Sequence, residues 1–111
     1  MTVATWTRVC KADVLQPDRG VAALVDGVAV AIFRVTGCDE VLAIGNVDPF
    51  SGASVLSRGI VGSKGDILTV ASPIYKQRFD LRTGECLDDE AVAVQTWPVR
   101  VQEGLVEVAV P

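Results

Sequence analysis

"VAALVDGVAVAIFRV", residues Val21–Val35, decides the fold class. Two runs of valine, alanine, leucine and isoleucine flank Asp26-Gly27, and an Asp-Gly pair between apolar runs is the strongest short-range hairpin signal a sequence carries. The pattern predicts strands over Val21–Val25 and Val28–Val35. The loop "TGCDE" follows, and Val41–Gly45 reads as a third strand that completes an antiparallel meander. Along Val28–Phe33 both faces are apolar. That fits a central strand buried on both sides, or one with a face against a partner.

Working outward, "WPVRVQEGLVEVAV" (Trp97–Val110) repeats the theme, with Glu103-Gly104 turning one strand into the next and Pro98 marking a strand start or an edge. "GIVGSKGDILTVAS" (Gly59–Ser72) predicts two short strands around a Ser63–Asp66 turn. "RFDLRTGE" (Arg78–Glu85) reads as a strand end running into a Thr83-Gly84 turn. Helical signal is thin: one turn at Gly52–Leu56 and a short or 3₁₀ helix at Lys11–Val14, which Pro17 stops. No repeat or linker interrupts the chain. The expectation is a single all-β domain over residues 1–111, an antiparallel β-sandwich or barrel of short strands.

Composition agrees. Of 111 residues half are hydrophobic but only 5% aromatic, so the apolar mass is β-branched and small, which suits strands. This length supports one core and not two. Charged residues reach 22%, and the net charge of −4 argues against a nucleic-acid binder. No apolar run approaches the ~18 residues of a membrane span. The start, "MTVATWTRVCKADV", shows no secretory signal. Cys10, Cys38 and Cys86 are odd in number and far apart, so they read as small hydrophobes or surface thiols in a reducing cytoplasm. Histidine is absent, which removes the commonest general base and the commonest metal ligand together. Catalysis by this chain alone is not expected.

Two loops stand apart from the strands: "GNVDPFSGASVLSRG" (Gly45–Gly59) and "ASPIYKQRFDLRTGECLDD" (Ala71–Asp89). Together they resemble the two cluster-binding loops of Rieske-type [2Fe–2S] domains. In that family the first carries C-P-H-x-G-A and the second C-P-x-H-G-x-x-F-D-x-x-x-G. Pro49, Gly52, Ala53, Pro73, Phe79, Asp80 and Gly84 preserve the frame. The ligand positions are altered: Asp48 and Ser72 replace cysteines, Phe50 and Tyr75 replace histidines, and Lys76 replaces the following glycine. A Rieske cluster needs two thiolates and two imidazoles, so no cluster and no other metal site is expected in this chain.

From about Trp6 to Val110 the chain further resembles the small subunits of assimilatory NADH-dependent nitrite reductases, which keep the Rieske-like fold without the ligands. "DPFSGA" and "IYKQRFDL" are the specific parts of that match. The resemblance implies a cytoplasmic partner of a large subunit that carries FAD, siroheme and an iron–sulfur cluster and reduces nitrite to ammonium with NADH. It also implies that the loops at about 45–59 and 71–84 meet at one end of the domain. Competing expectations are a free-standing Rieske ferredoxin-like electron carrier, which the missing ligands oppose, and a generic β-barrel binding module.

The individual residues allow plainer readings. Phe50 and Tyr75 either fill the volume a cluster would occupy or contact the partner. Asp48 before Pro49 is an ordinary turn residue, Phe79 a core residue, and Asp80 a side chain that bonds its own turn. Arg58, Lys76 and Arg78 form a local positive group, either a solvated loop surface or a docking patch. Phe50, Arg58, Tyr75, Lys76 and Arg78 are thus the candidate docking residues.

Overall fold

The computed structural model of the chain describes residues 5–36 and 40–110, so Cys38 lies outside the described residues. Ten strands follow one another: β1 (Thr5–Lys11), β2 (Gly20–Val25), β3 (Val28–Arg34), β4 (Val41–Gly45), β5 (Ile60–Lys64), β6 (Ile67–Ala71), β7 (Arg78–Asp80), β8 (Thr96–Trp97), β9 (Val99–Gln102) and β10 (Leu105–Val110). They pair antiparallel in three sheets, ordered β1-β10-β9, β2-β3-β4-β8 and β5-β6-β7. The all-β expectation holds, and no helix among the described residues is long and apolar enough to cross a membrane.

Local chemistry sets the hairpins. Asp26 (φ 51°) and Gly27 (φ 79°) are both left-handed, as are Glu103 (φ 53°) and Gly104 (φ 75°). Two successive left-handed residues give the type I′ turn whose twist matches the flanking strands. These turns set the registers Val25 opposite Val28 and Gln102 opposite Leu105. Pro98 separates β8 from β9, since it has no N–H to give to a ladder.

The β2-β3-β4-β8 sheet lies between the other two, and β3 shows why its sequence is apolar on both faces. Val30 and Ile32 enter one core with Val25, Ala43, Trp97, Val106 and Val108. Ala31 and Phe33 enter a second core with Ile44, Leu56, Val70, Phe79 and Leu81. Residues Val30 to Phe33 are all fully buried. Successive side chains of a strand point to opposite faces, so a strand covered on both sides must be apolar throughout. Phe33 and Phe79 are the largest side chains fully buried, each stabilising by about 1.5–3 kcal/mol relative to exposure. Cys86 belongs to the second core and Cys10 packs against the first, where burial raises the Cys10 thiol pKa.

The helical expectations part company. Ala12–Val14 forms the anticipated 3₁₀ turn. The turn expected at Gly52–Leu56 instead lies at Leu56–Arg58. Gly52 has φ 75° and closes a different turn, which prevents a helix from starting there.

Candidate functional site

Gly45–Gly59 and Ala71–Gly84 leave β4 and β6 and lie against each other. The first loop is anchored by Asn46, 3% exposed. Its N–H extends the β3–β4 pairing by donating to the Ala29 carbonyl (3.0 Å). Its own carbonyl accepts from the N–H groups of Val55 and Leu56 (both 3.0 Å). Its side chain donates to Ser54 Oγ (2.9 Å) and accepts from the Ser57 N–H (2.7 Å). Sequence reasoning missed Asn46. The available signal was an amide residue directly after a strand and before a turn, where it can bond the backbone.

Within the two loops the chain repeats one turn. Asp48 Oδ1 accepts from the Phe50 N–H (2.8 Å), and the Asp48 carbonyl accepts from the Gly52 N–H (2.7 Å). Ser72 Oγ accepts from the Ile74 N–H (3.2 Å), and the Ser72 carbonyl accepts from the Lys76 N–H (3.0 Å). In each, the leading side chain holds the N–H two residues on, and the residue four on is left-handed: Gly52 at φ 75°, Lys76 at φ 65°. Asp80 leads a third copy. Its Oδ1 accepts from the Arg82 N–H (2.8 Å), its carbonyl accepts from the Gly84 N–H (2.8 Å), and Gly84 has φ 80°.

Asp48 and Ser72, at the two positions that resemble cluster cysteines, bond directly to each other. The Ser72 hydroxyl donates to Asp48 Oδ2 at 2.5 Å, and the two residues are 1% and 0% exposed. Asp48 is thus a turn residue, as expected, and also half of a buried bridge between the loops. A buried hydroxyl and carboxylate that satisfy each other avoid the cost of unpaired burial.

Phe50 and Tyr75, at the two positions that resemble cluster histidines, part ways. Phe50 is half-buried against the second core, its ring centroid 6.3 Å from that of Phe79. Tyr75 is 59% exposed and fills no interior volume, which corrects the filling reading for this residue. The reason lies in its turn. Ser72 and Lys76 close the loop beneath residues 73–75, so Pro73, Ile74 and Tyr75 project outward as an exposed tip.

The positive group is smaller than the sequence suggests. Arg58 and Lys76 are exposed, but Arg78 is tied to Asp88. Asp88 Oδ1 lies 3.2 Å from Arg78 Nη2, and Oδ2 accepts from the Arg78 backbone N–H at 2.8 Å. The hydrogen bonds from Arg78 hold the Asp88 carboxyl below the usual carboxylate value, and the bond to Asp88 raises the Arg78 guanidinium. Asp88 lies ten residues away in the acidic run Asp88–Glu90, and nothing local assigns it this role. Exposed large apolar side chains occur in and beside the two loops, as they also do on β2, β3 and β9 and at Val14. Ile74 and Tyr75 form the tip, Val47 lies in the first loop, and Ile60 pairs with Ala71 at the start of the second. A surface hollow of about 470 Å³ lies instead at the opposite end of β4, along Glu40–Leu42 and Trp97–Val101.

The donor set does not fit a Rieske cluster. The four positions offer a carboxylate and a hydroxyl already bonded to each other, a phenyl ring and an exposed phenol, and the chain has no histidine. Among the described residues no group of three or more His, Cys, Asp or Glu is placed to hold a metal ion.

Comparison with known proteins gives this geometry its context. The sequence profile of the family described as Rieske-like [2Fe-2S] domain matches residues 5–109. The chain is 47% identical over 105 residues to the nitrite reductase (NADH) small subunit of Salmonella typhimurium, covering 95% of this chain and 97% of that protein. A crystal structure from Mycobacterium tuberculosis, provisionally assigned as an NADH-dependent nitrite reductase small subunit, superposes with a TM-score of 0.94. It shares 51% identity, over 99% of this chain and 98% of that one. A protein of Klebsiella oxytoca named nitrite reductase [NAD(P)H] large subunit contains a stretch 41% identical to this chain over 101 residues, 91% of this chain and 10% of that protein.

Proposed function

The chain belongs to the Rieske-like [2Fe-2S] domain family and, within it, to the nitrite reductase (NADH) small subunits, and from that membership we propose that it is the non-catalytic partner of a large nitrite reductase subunit. The complex reduces nitrite to ammonium with NADH in the cytoplasm, in nitrate and nitrite assimilation. By the resemblance, FAD, siroheme and an iron–sulfur cluster belong to the large subunit, which carries the electron transfer and the chemistry. This chain contributes shape: two loops held together without metal at one end of a β domain.

The observation that carries the reading is the 47% identity along 95% of the chain and 97% of a nitrite reductase small subunit. The Klebsiella oxytoca large subunit adds support, because a covalently joined homologous segment works at high effective concentration beside its partner. The donor set at residues 48, 50, 72 and 75 weighs against a free-standing electron carrier.

The docking end in this reading comprises Phe50, Arg58, Tyr75 and Lys76, with Arg78 at its rim because Asp88 already holds its charge. Tyr75 supplies an exposed aromatic anchor, and the cations tune association. The test is co-purification with the large subunit and an NADH–nitrite assay, using wild-type chain, the Lys76→Glu/Arg78→Glu variant, or no chain. Wild type should bind and support activity, and the double reversal should bind more weakly at low salt. Full activity and stability of the large subunit alone would end the accessory role. Equal binding by the double reversal would end docking through this end.

A further inference from the structure

The three copies of the turn led by Asp48, Ser72 and Asp80 isolate one residue. Each copy closes through an N–H four residues on, and each closing residue is left-handed. Two copies close on glycine, at Gly52 and Gly84, for which that backbone is free of strain. The third closes on Lys76, whose Cβ is disfavoured there. Among the described residues, the other left-handed ones that are not glycine have local reasons. Asp26 and Glu103 lead type I′ hairpin turns. Asp18 uses its carboxylate to accept from the Thr36 N–H (2.9 Å) and hydroxyl (2.6 Å). Lys76 has no such return: its side chain is exposed and makes no hydrogen bond or ion pair among the described residues. A backbone conformation that suits glycine, filled by an unpaired cation, points to a use outside the chain.

The surroundings define that use. Ile74 and Tyr75 stand exposed beside Lys76 on the same turn, and Arg58 precedes Gly59, which abuts the Ala71 carbonyl at the start of the loop. An ammonium bordered by exposed apolar side chains complements a carboxylate set in an apolar surface. We propose that Lys76 is a specificity-determining contact of the docking end, its ammonium pairing with an Asp or Glu side chain on the large subunit. This rests on the pairing with the large subunit proposed above, and it deepens that reading by naming the residue and the chemistry it recognises.

The experiment measures Tm of the free full-length chain and Kd for the purified large subunit, for wild type, Lys76→Gly, Lys76→Asn and Lys76→Arg. Glycine and asparagine accept left-handed backbone without the charge, and arginine keeps the charge. The Gly and Asn variants should match wild type in Tm or exceed it by up to about 4 °C. They should bind at least about threefold more weakly at low salt, with the difference shrinking at about 0.5 M salt. The Arg variant should bind more tightly than either neutral variant. A smaller loss for both neutral variants, or a fall in Tm of about 4 °C or more for both, overturns the assignment of Lys76. If wild type itself fails to bind, the pairing falls, and Lys76 with it. A wild type that binds alongside indifferent neutral variants removes Lys76 alone.

Discussion

Ser72 and Asp48 are 24 residues apart in sequence, and their buried hydrogen bond joins the two loops. In a Rieske domain a metal cluster would join the two loops at these positions. Here a single buried O–H···O bond does so, while each partner also holds its own turn. Removing one partner exposes the asymmetry of buried polar groups, because the remaining atom keeps its desolvation cost and loses its bond. Ser72→Ala should therefore destabilise the chain by about 1–3 kcal/mol. Asp48→Ala should fall in the same range, since each substitution removes the bridge and also releases the N–H its side chain holds, that of Ile74 or of Phe50. The double variant should fall short of the sum by about 0.5–3 kcal/mol, a coupling that denaturant titration of the four proteins measures directly. Strict additivity would mean that the bridge contributes nothing as a unit. The turn role of Asp48 was legible in "DPF" because it spans two residues. Its bond to Ser72 was not, because nothing local in either loop brings the two together.

Among the elements, the Asp80–Gly84 turn is the most constrained. It fastens the end of β7 to the segment before β8, where the Val94 N–H donates to the Gly84 carbonyl (2.8 Å). A Cβ on Gly84 would stand 2.0 Å from the Val94 carbonyl oxygen, in addition to the left-handed strain at φ 80°. Gly27 has nearly the same φ, 79°, but open space around it. Gly27→Ala isolates the strain and should cost about 1–2 kcal/mol. Gly84→Ala adds a backbone collision and should cost about 3 kcal/mol or more. Thermal or denaturant unfolding of the pair separates the two effects, and equal losses would show that crowding at Gly84 is relieved at no cost. Hairpins at Asp26-Gly27 and Glu103-Gly104 were readable because their turn chemistry is carried by two adjacent residues. The shift of the 3₁₀ turn to Leu56–Arg58 was not, because Asn46 pulls Val55, Leu56 and Ser57 onto itself from 9 to 11 positions away.

For the whole molecule, the chemistry of the loops makes a direct prediction about metal. Purified anaerobically, the chain should be colourless, lack the absorption bands of a [2Fe–2S] centre, and hold no stoichiometric iron. Iron near two equivalents per chain would overturn the donor-set argument. The sequence by itself determined the class of the fold, the meander at Val21–Gly45, the absence of imidazole, and the loop frame that carries the family likeness. Each of these is written in residue type or in spacing over a few positions. Tertiary structure alone decided which cover lies on each face of β3, with Val30 and Ile32 meeting β10 and Ala31 and Phe33 meeting β6 and β7. It decided that Asp48 and Ser72 join, that Asp88 claims Arg78, and that Tyr75 turns outward while Phe50 turns in. The physical reason is the same in every case. Periodicity and turn chemistry act between neighbours in the chain, whereas burial and hydrogen-bond satisfaction are settled between residues that only the folded backbone brings together.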